Sequence, residues 1–304
     1  MITGSSGMIG TRLFEKLIEE DYNVVGVDKV FNRWNETLNK KTVLCDLLID
    51  KKISKLPKTD MIIHFAANAR VFDLVKNPSL ALDNIKSTFN ILNFVRKKDI
   101  PLIFASSNEV YGNNLQNEKV SEESVKINEI HNPYAASKMA CEILINSFNK
   151  MYGVDFEIIR LSNVYGMYDC YDRAIPLWIK QTLNGDDLIV YGPDKKLDLL
   201  HIDDAVKGFL RTVEYFQKIN GTTINIGSGE TTNLLYVAKK IRSLLKKKNQ
   251  IILHKNRNGE VYKFQSDISK AYSLLGFKPK ISIDRGLENS VKWYEKFYTE
   301  IKNI

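Results

Sequence analysis

The chain has 304 residues, 44% of them hydrophobic, enough to bury a sizeable core as one large α/β unit or as two domains sharing an interface. No apolar run approaches the roughly 20 residues that span a bilayer, and Met1-Ile2-Thr3-Gly4 leads into a glycine-rich turn unlike a signal peptide. The net charge of +8 is scattered, and its densest run, Lys246-Lys247-Lys248, closes a helix-like segment with no nucleic-acid motif or aromatic platform beside it.

Through the first 165 residues, short apolar runs alternate with amphipathic segments, the pattern of a parallel sheet wrapped by helices. Met1-Ile2-Thr3 reads as a very short first strand. Gly4-Ser5-Ser6-Gly7-Met8-Ile9-Gly10 follows, and Ile9, Leu13 and Leu17 then repeat at helical spacing. In such a strand-turn-helix unit Gly4 permits the tight turn, Gly7 lets the backbone approach a pyrophosphate, and Gly10 lets helix and strand pack closely. Met8 and Ile9 open the helix, whose first N–H groups face the phosphates. The next strand, Val24-Val25-Gly26-Val27, ends at Asp28, whose carboxylate can accept hydrogen bonds from adenosine ribose hydroxyls. It would repel a 2′-phosphate, which favours NAD over NADP, although Lys29 stands beside it.

Met61-Ile62-Ile63 and Leu102-Ile103-Phe104-Ala105 read as further strands, with a helix carrying Ile85, Phe89 and Leu92 between them. Just past the last of these, Ser106-Ser107-Asn108-Glu109 places hydroxyls, an amide and a carboxylate where doubly wound folds assemble their sites. Tyr134-Ala135-Ala136-Ser137-Lys138 opens the next amphipathic stretch after Asn132-Pro133. Residues four apart share a helix face, so Lys138 can stabilise a Tyr134 phenolate and lower its pKa towards the working range of a general base. A strand at Phe156–Ile159 follows. Beyond Gly166 the regularity weakens into helices near 203–217, 232–247 and 284–300 with short strands and loops. The expected fold is α/β: a Rossmann-type doubly wound parallel sheet over 1–166, a smaller substrate domain over 167–304, and a segment near 198–226 returning to the first domain.

The three cysteines, Cys45, Cys141 and Cys170, are far apart and odd in number, as reduced thiols of a cytoplasmic protein would be. The four histidines show no metal-ligand spacing, so no metal is expected. Asp203 and Asp204 read as carboxylates of a helix N-terminus, and His201 as structural.

Taken in order, these motifs resemble the extended short-chain dehydrogenase/reductase family. The resemblance rests on the glycine turn, Cys45-Asp46-Leu47, His64-Phe65-Ala66-Ala67, the Ser-Ser-x-x-Val-Tyr-Gly segment and Asn132-Pro133-Tyr134-x-x-x-Lys138. It continues through Arg160–Gly166, His201–Asp204, Asn225–Gly229 and Arg257-Asn258-Gly259-Glu260, reaching about Trp293. The nearest likeness is to its NAD-dependent nucleotide-sugar epimerases and dehydratases, UDP-glucose 4-epimerase among them.

That resemblance implies NAD as cofactor, a UDP-sugar as substrate, and a homodimer paired through the helices carrying Ile85–Val95 and Met139–Phe148. It implies Tyr134 as catalytic base, Lys138 as its partner and nicotinamide-ribose ligand, and Ser107 as a hydroxyl that bonds the substrate. Asp46 and Leu47 would flank the adenine, while Ala66, Ala67 and Asn84 would line the cofactor; Asn84 could equally cap its helix. Asn108, Asn163 and Arg257 would contact the substrate. The implied reaction is 4-epimerisation through a transient 4-keto sugar. Glu109 stands where dehydratases and UDP-glucuronate decarboxylases of the family carry a glutamate, but its neighbour Asn108 cannot act as a general acid. Leu197 replaces an arginine common in the family, unless Arg173 or Lys196 supplies that cation.

Overall fold

Aliphatic runs bounded by glycine or aspartate give seven parallel strands of one central sheet. The computed structural model of the chain describes residues 1–113, 119–257 and 260–302. The strands are β1 (Ile2–Thr3), β2 (Gly26–Asp28), β3 (Thr42–Leu44), β4 (Ile62–His64), β5 (Leu102–Ser107), β6 (Phe156–Leu161) and β7 (Thr222–Ile226). Their order is β7-β6-β5-β4-β1-β2-β3. Strand order therefore reverses between β1 and β4, which opens a crevice at their carboxyl ends, the place where such sheets bind ligands.

β1 is only two residues long, yet it pairs on both sides, Ile2 with Gly26 and with Ile63. A short strand suffices there because β2 and β4 are themselves three residues each. The Val25 carbonyl still accepts from Ile2 N at 2.9 Å, although Val24 and Val25 precede the strand proper.

Side chains alternate across the sheet with period two. Ile2, Ile63, Ile103, Ile159 and Ile224 join one buried cluster with α1 (Met8–Glu19) and the helix Ile202–Ile219. Val27, Ile62, Leu102, Phe104 and Ile158 join the opposite cluster with α2 (Ser79–Lys98) and α3 (Pro133–Tyr152). Both faces of the sheet are thus covered, which is why β5 and β6 are buried throughout and read as continuous apolar runs. Each such side chain contributes about 1.5–3 kcal/mol through burial.

Sharp local signals set the ends of α3. Asn132 accepts from Ala135 N at its start, Pro133 occupies the first turn, and Gly153 closes it with φ 70°.

Past β6 the chain alternates between the large sheet and three small ones. Asn163–Tyr165 pairs with Leu199–His201, Lys196–Leu197 lies between Thr232–Asn233 and Lys263–Phe264, and Leu188–Tyr191 pairs with Ile251–His254. A third hydrophobic cluster, whose buried members run from Tyr165 to Ile301, fills this part. Among the described residues no helix is long and apolar enough to cross a membrane.

Candidate active site

The glycine turn joins β1 to α1 and brings three backbone segments together. Gly4 has φ 71°, a left-handed conformation, and a Cβ there would stand 2.7 Å from Ala66 N. A Cβ on Gly10 would come within 2.1 Å of the Gly4 carbonyl oxygen. The turn therefore packs directly against the segment after β4 that holds Ala66 and Ala67. Gly7 caps α1 without a side-chain bond, and no acidic residue stands in the first turn, so Met8 and Ile9 begin a helix whose N–H groups are open to an anion. Asp28 ends β2, and its Oδ2 accepts from Ser6 N at 2.9 Å. This cradle fits the pyrophosphate and ribose of a dinucleotide, with Asp28 disfavouring a 2′-phosphate.

Asp46 follows β3 and accepts from Leu48 N at 2.9 Å; Leu47 is buried, and its carbonyl accepts from Asn90 Nδ2 at 2.8 Å. Asn84 does not cap a helix, because α2 begins at Ser79 with Pro78 in the cap position. Its amide instead grips Asn68, accepting from Asn68 N at 2.7 Å and donating to Asn68 O at 3.1 Å, and it donates to Ser137 Oγ at 3.1 Å. Asn84 thus ties the segment behind Ala66 and Ala67 to the helix that carries Tyr134.

β5 ends at Ser107 and turns through a single 3-10 turn, Asn108–Tyr111, while Tyr134 and Lys138 lie in the first turns of α3. Ser107, Tyr134 and Lys138 are all buried. Burial pushes the Tyr134 phenol up to about 12, and the Ser107 hydroxyl pulls the other way. Glu109 adds to the rise, and the Arg173 guanidinium opposes it. Lys138 reaches back to the sheet. It donates to the Ala105 carbonyl at 2.7 Å, lies 5.9 Å from the Tyr134 ring centre, and is lowered by burial to about 8. At the phenol burial dominates, and Ser107 and Arg173 oppose it.

Glu109 is held by Asn132, whose Nδ2 donates to Oε2 at 3.0 Å while its Oδ1 caps α3. Burial raises the pKa of Glu109 and Glu260 adds to that rise, whereas Asn132 and Lys195 lower it. Asn108 is buried, and its Nδ2 has no partner among the described residues. Arg173 pairs with Asp169 at 3.0 Å and approaches Met8 Sδ at 3.6 Å, which stations a cation between the glycine turn and Tyr134.

Asn163 opens the strand after β6, and its Nδ2 donates to the Asp198 carbonyl at 3.2 Å. Arg257 lies 3.8 Å from the Tyr191 ring centre and 5.6 Å from that of Phe72, so it bridges the helix Val71–Lys76 and the strand Leu188–Tyr191. Its neighbours Asn258 and Gly259 lie outside the described residues. Leu197 packs among apolar side chains, and Lys196 is exposed. The buried cation of this stretch is Lys195, paired with Glu260.

Four participants escaped the sequence reading. Asn132 carried a legible signal as a capping asparagine before proline, but its bond to Glu109 did not. The buried Arg160–Glu142 pair, at 2.7 Å, holds Ser106 Oγ through Glu142 Oε1 and stands behind the site. Lys195 looked like one more solvated lysine. His201 is buried at the start of Ile202–Ile219, with Asp203 and Asp204 in the first turn of that helix.

A doubly wound parallel sheet with an open glycine turn, and a Ser-Tyr-Lys set at its carboxyl edge, define a nicotinamide-dinucleotide enzyme of the short-chain dehydrogenase/reductase class. The chain belongs to the NAD-dependent epimerase/dehydratase family, whose model matches residues 1–227. It is 33% identical over 305 residues to a Methanocaldococcus jannaschii protein provisionally named UDP-glucose 4-epimerase, covering 96% of this chain and 97% of that relative. Its structure is similar to a Thermotoga maritima UDP-glucose 4-epimerase solved with UDP-glucose (TM-score 0.91, 26% identity, 98% of each chain). It is similar also to a Bacillus cereus UDP-glucuronic acid 4-epimerase in complex with UDP-glucuronic acid and NAD (TM-score 0.89, 28% identity, 98% of this chain and 99% of that one). NAD is thus the cofactor of the family, and the cradle here fits it.

Proposed function

We propose that the chain is a nucleotide-sugar 4-epimerase acting on a UDP-sugar: UDP-glucose/UDP-galactose, or an N-acetyl or uronic analogue. The observation that carries this reading is the Ser107–Tyr134 pair, buried at the carboxyl edge of β5 and flanked by the glycine-turn cradle. Held by the glycine turn and Asp28, NAD would supply a two-electron acceptor for the C4 hydride. The Tyr134 oxygen would remove the proton from the C4 hydroxyl oxygen as hydride leaves C4 itself, which together convert the alcohol to a 4-keto group. Ser107 bonds the phenol and the substrate oxygen, fixing the direction of proton transfer. Lys138, anchored on Ala105, projects its charge beneath the same site. For inversion the 4-keto sugar would turn about its diphosphate to present its other face, and Tyr134 would give the proton back to the C4 oxygen. Asn108, Asn163 and Arg257 orient the sugar and its diphosphate in this scheme.

A second reading is UDP-glucuronate decarboxylation or 4,6-dehydration through Glu109. One observation favours it: the charges of Glu109 and Arg173 both act on the Tyr134 phenol, and burial raises the pKa of Glu109. That supplies a proton-transfer group and a cation for a sugar carboxylate. Incubation with a panel of UDP-, dTDP-, GDP- and CDP-sugars, followed by NMR, separates the readings. A C4-inverted sugar at equilibrium is expected. Loss of CO2 or a 4-keto-6-deoxy product would replace epimerisation by the second reading. Exposed Leu82 and Phe89 on α2, with Ile143 and Met151 on α3, support pairing as a homodimer. A monomeric mass in solution scattering would overturn that.

A further inference from the structure

We infer that Trp34 is a positioning residue for the cofactor cradle, a wedge that holds the loop after β2 and, through it, the glycine turn in the geometry that grips NAD. The loop is bonded to the turn at its start. Asp28 Oδ2 accepts from Ser6 N at 2.9 Å, Ser6 Oγ donates to Val30 O at 2.8 Å, and Val30 N donates to Asp28 Oδ1 at 3.2 Å. Val30 and Phe31 are exposed and give this stretch no apolar hold.

Asn32 then stiffens the loop. Its buried amide donates to Thr11 Oγ1 of α1 at 2.7 Å, and its Oδ1 accepts from Trp34 N at 2.9 Å and Asn35 N at 3.0 Å. That turn directs the Trp34 ring out of the large sheet and into the third hydrophobic cluster, whose buried members all lie at or beyond Tyr165. The ring meets Trp293 edge-on, centroids 5.0 Å apart, with Tyr168 and Phe297 each at 6.2 Å. Edge-on aromatic contacts of this kind are favoured by the ring quadrupoles. A polar clasp closes the same junction: Glu15 Oε1 accepts from Asn35 Nδ2 at 3.1 Å and from Tyr168 OH at 3.0 Å. Tyr168 itself is held at φ 68°, a backbone that bulky side chains rarely adopt, as expected where neighbouring contacts fix a residue.

Asp28 and Ser6 are therefore pre-ordered by an aromatic anchor that belongs to the other side of the molecule. A loop ordered before the ligand arrives loses less entropy on binding. Without the wedge, the gripping geometry is only part of the population, and the apparent Kd rises by the inverse of that fraction.

The test is NAD retention by the 304-residue protein through gel filtration, measured as NAD released per chain on denaturation, together with an NADH fluorescence titration. Trp34→Ala should weaken dinucleotide affinity roughly tenfold or more, and Trp34→Phe should recover most of it. A role confined to packing would lower the thermal midpoint and leave affinity unchanged. A folded Trp34→Ala protein with unaltered NAD affinity overturns the inference. Should that variant fail to fold, Trp293→Ala removes the facing ring, and unaltered affinity there overturns it equally. The wedge acts on the cradle and not on the choice of sugar. If the unsubstituted protein binds NAD but turns over no nucleotide sugar, the epimerase proposal fails while the role of Trp34 is still decided by the variants.

Discussion

The Lys138 ammonium donates to the backbone carbonyl of Ala105, 2.7 Å away, a bond that fixes α3 against the end of β5 and keeps the charge beneath Tyr134. With the phenol raised to about 12 and the ammonium lowered to about 8, the two groups bound the pH range of the reaction. The proposed base requires Tyr134 deprotonated and Lys138 protonated. Below pH 8 the product of those fractions climbs by about tenfold per unit, and above it the two trends cancel. The rate constant kcat/KM should therefore rise with pH to near 8 and level off, as a buffered series read by product NMR would show. A fall between pH 6 and 8 would contradict these roles. Tyr134→Phe should lower turnover by about 10²–10⁴-fold and leave NAD retention unchanged.

Glu109→Gln separates the two chemistries at one position. An epimerase that uses Tyr134 alone should keep its rate within about tenfold, because a glutamine side chain can still accept from Asn132 Nδ2 as Glu109 Oε2 does. A lyase that uses Glu109 for proton transfer should lose about 10²-fold or more. Rates on whichever sugar the wild-type protein converts give the answer.

Glu157, fully buried on β6, accepts from Thr222 Oγ1 at 3.0 Å, and burial raises it from 4.5 to about 9. The folded protein keeps this proton after the unfolded chain has released it, so stability falls as pH rises from 4.5 towards 9. Glu157→Gln should raise stability at pH 7 by about 1–3 kcal/mol, with the gain vanishing near pH 4. Urea titrations at the two pH values would measure it, and an equal effect at both would rule out the titration as cause.

His64 gives the opposite sign at the acid end. It is fully buried between Thr3 Oγ1 at 2.6 Å and Thr88 Oγ1 at 3.2 Å, and burial lowers it from 6.5 to about 3. The unfolded chain takes up a proton below 6.5 that the folded one refuses. The stabilisation from a neutral His64 is full above pH 6.5 and is lost as pH falls towards 3, by about 1.4 kcal/mol per unit. His64→Gln should start from lower stability and show a flatter acid limb in denaturant titrations between pH 6 and 4. An unchanged slope would assign the acid sensitivity to other groups.

The alternation of strands and helices, the glycine turn ending a strand, Asp28 two strand positions from Gly26, and Tyr134 one helical turn from Lys138 were all legible in order along the chain. Each depends on spacing that backbone geometry imposes over a few residues: period two for strands, 3.6 for helices, a cap or a positive φ at their ends. The weak first strand was legible too, and only its short neighbours explain why it serves at the centre of the sheet.

Whatever depends on which distant segments meet could not be read that way. Asn132 on Glu109, Lys195 on Glu260, Arg160 on Glu142 and the Trp34 ring among Tyr168, Trp293 and Phe297 pair residues from 18 to about 260 positions apart. Burial, which sets the pKa values of Tyr134, Lys138 and Glu109, is likewise a property of packing, because the cost of a charge depends on every group that excludes water from it. Local spacing was enough to mark a dinucleotide turn on a doubly wound sheet and a tyrosine and a lysine one helical turn apart. Long-range packing, which no local spacing encodes, is what turns the lysine to Ala105, makes burial the largest influence on the phenol, and anchors a tryptophan from the cofactor loop in the far cluster.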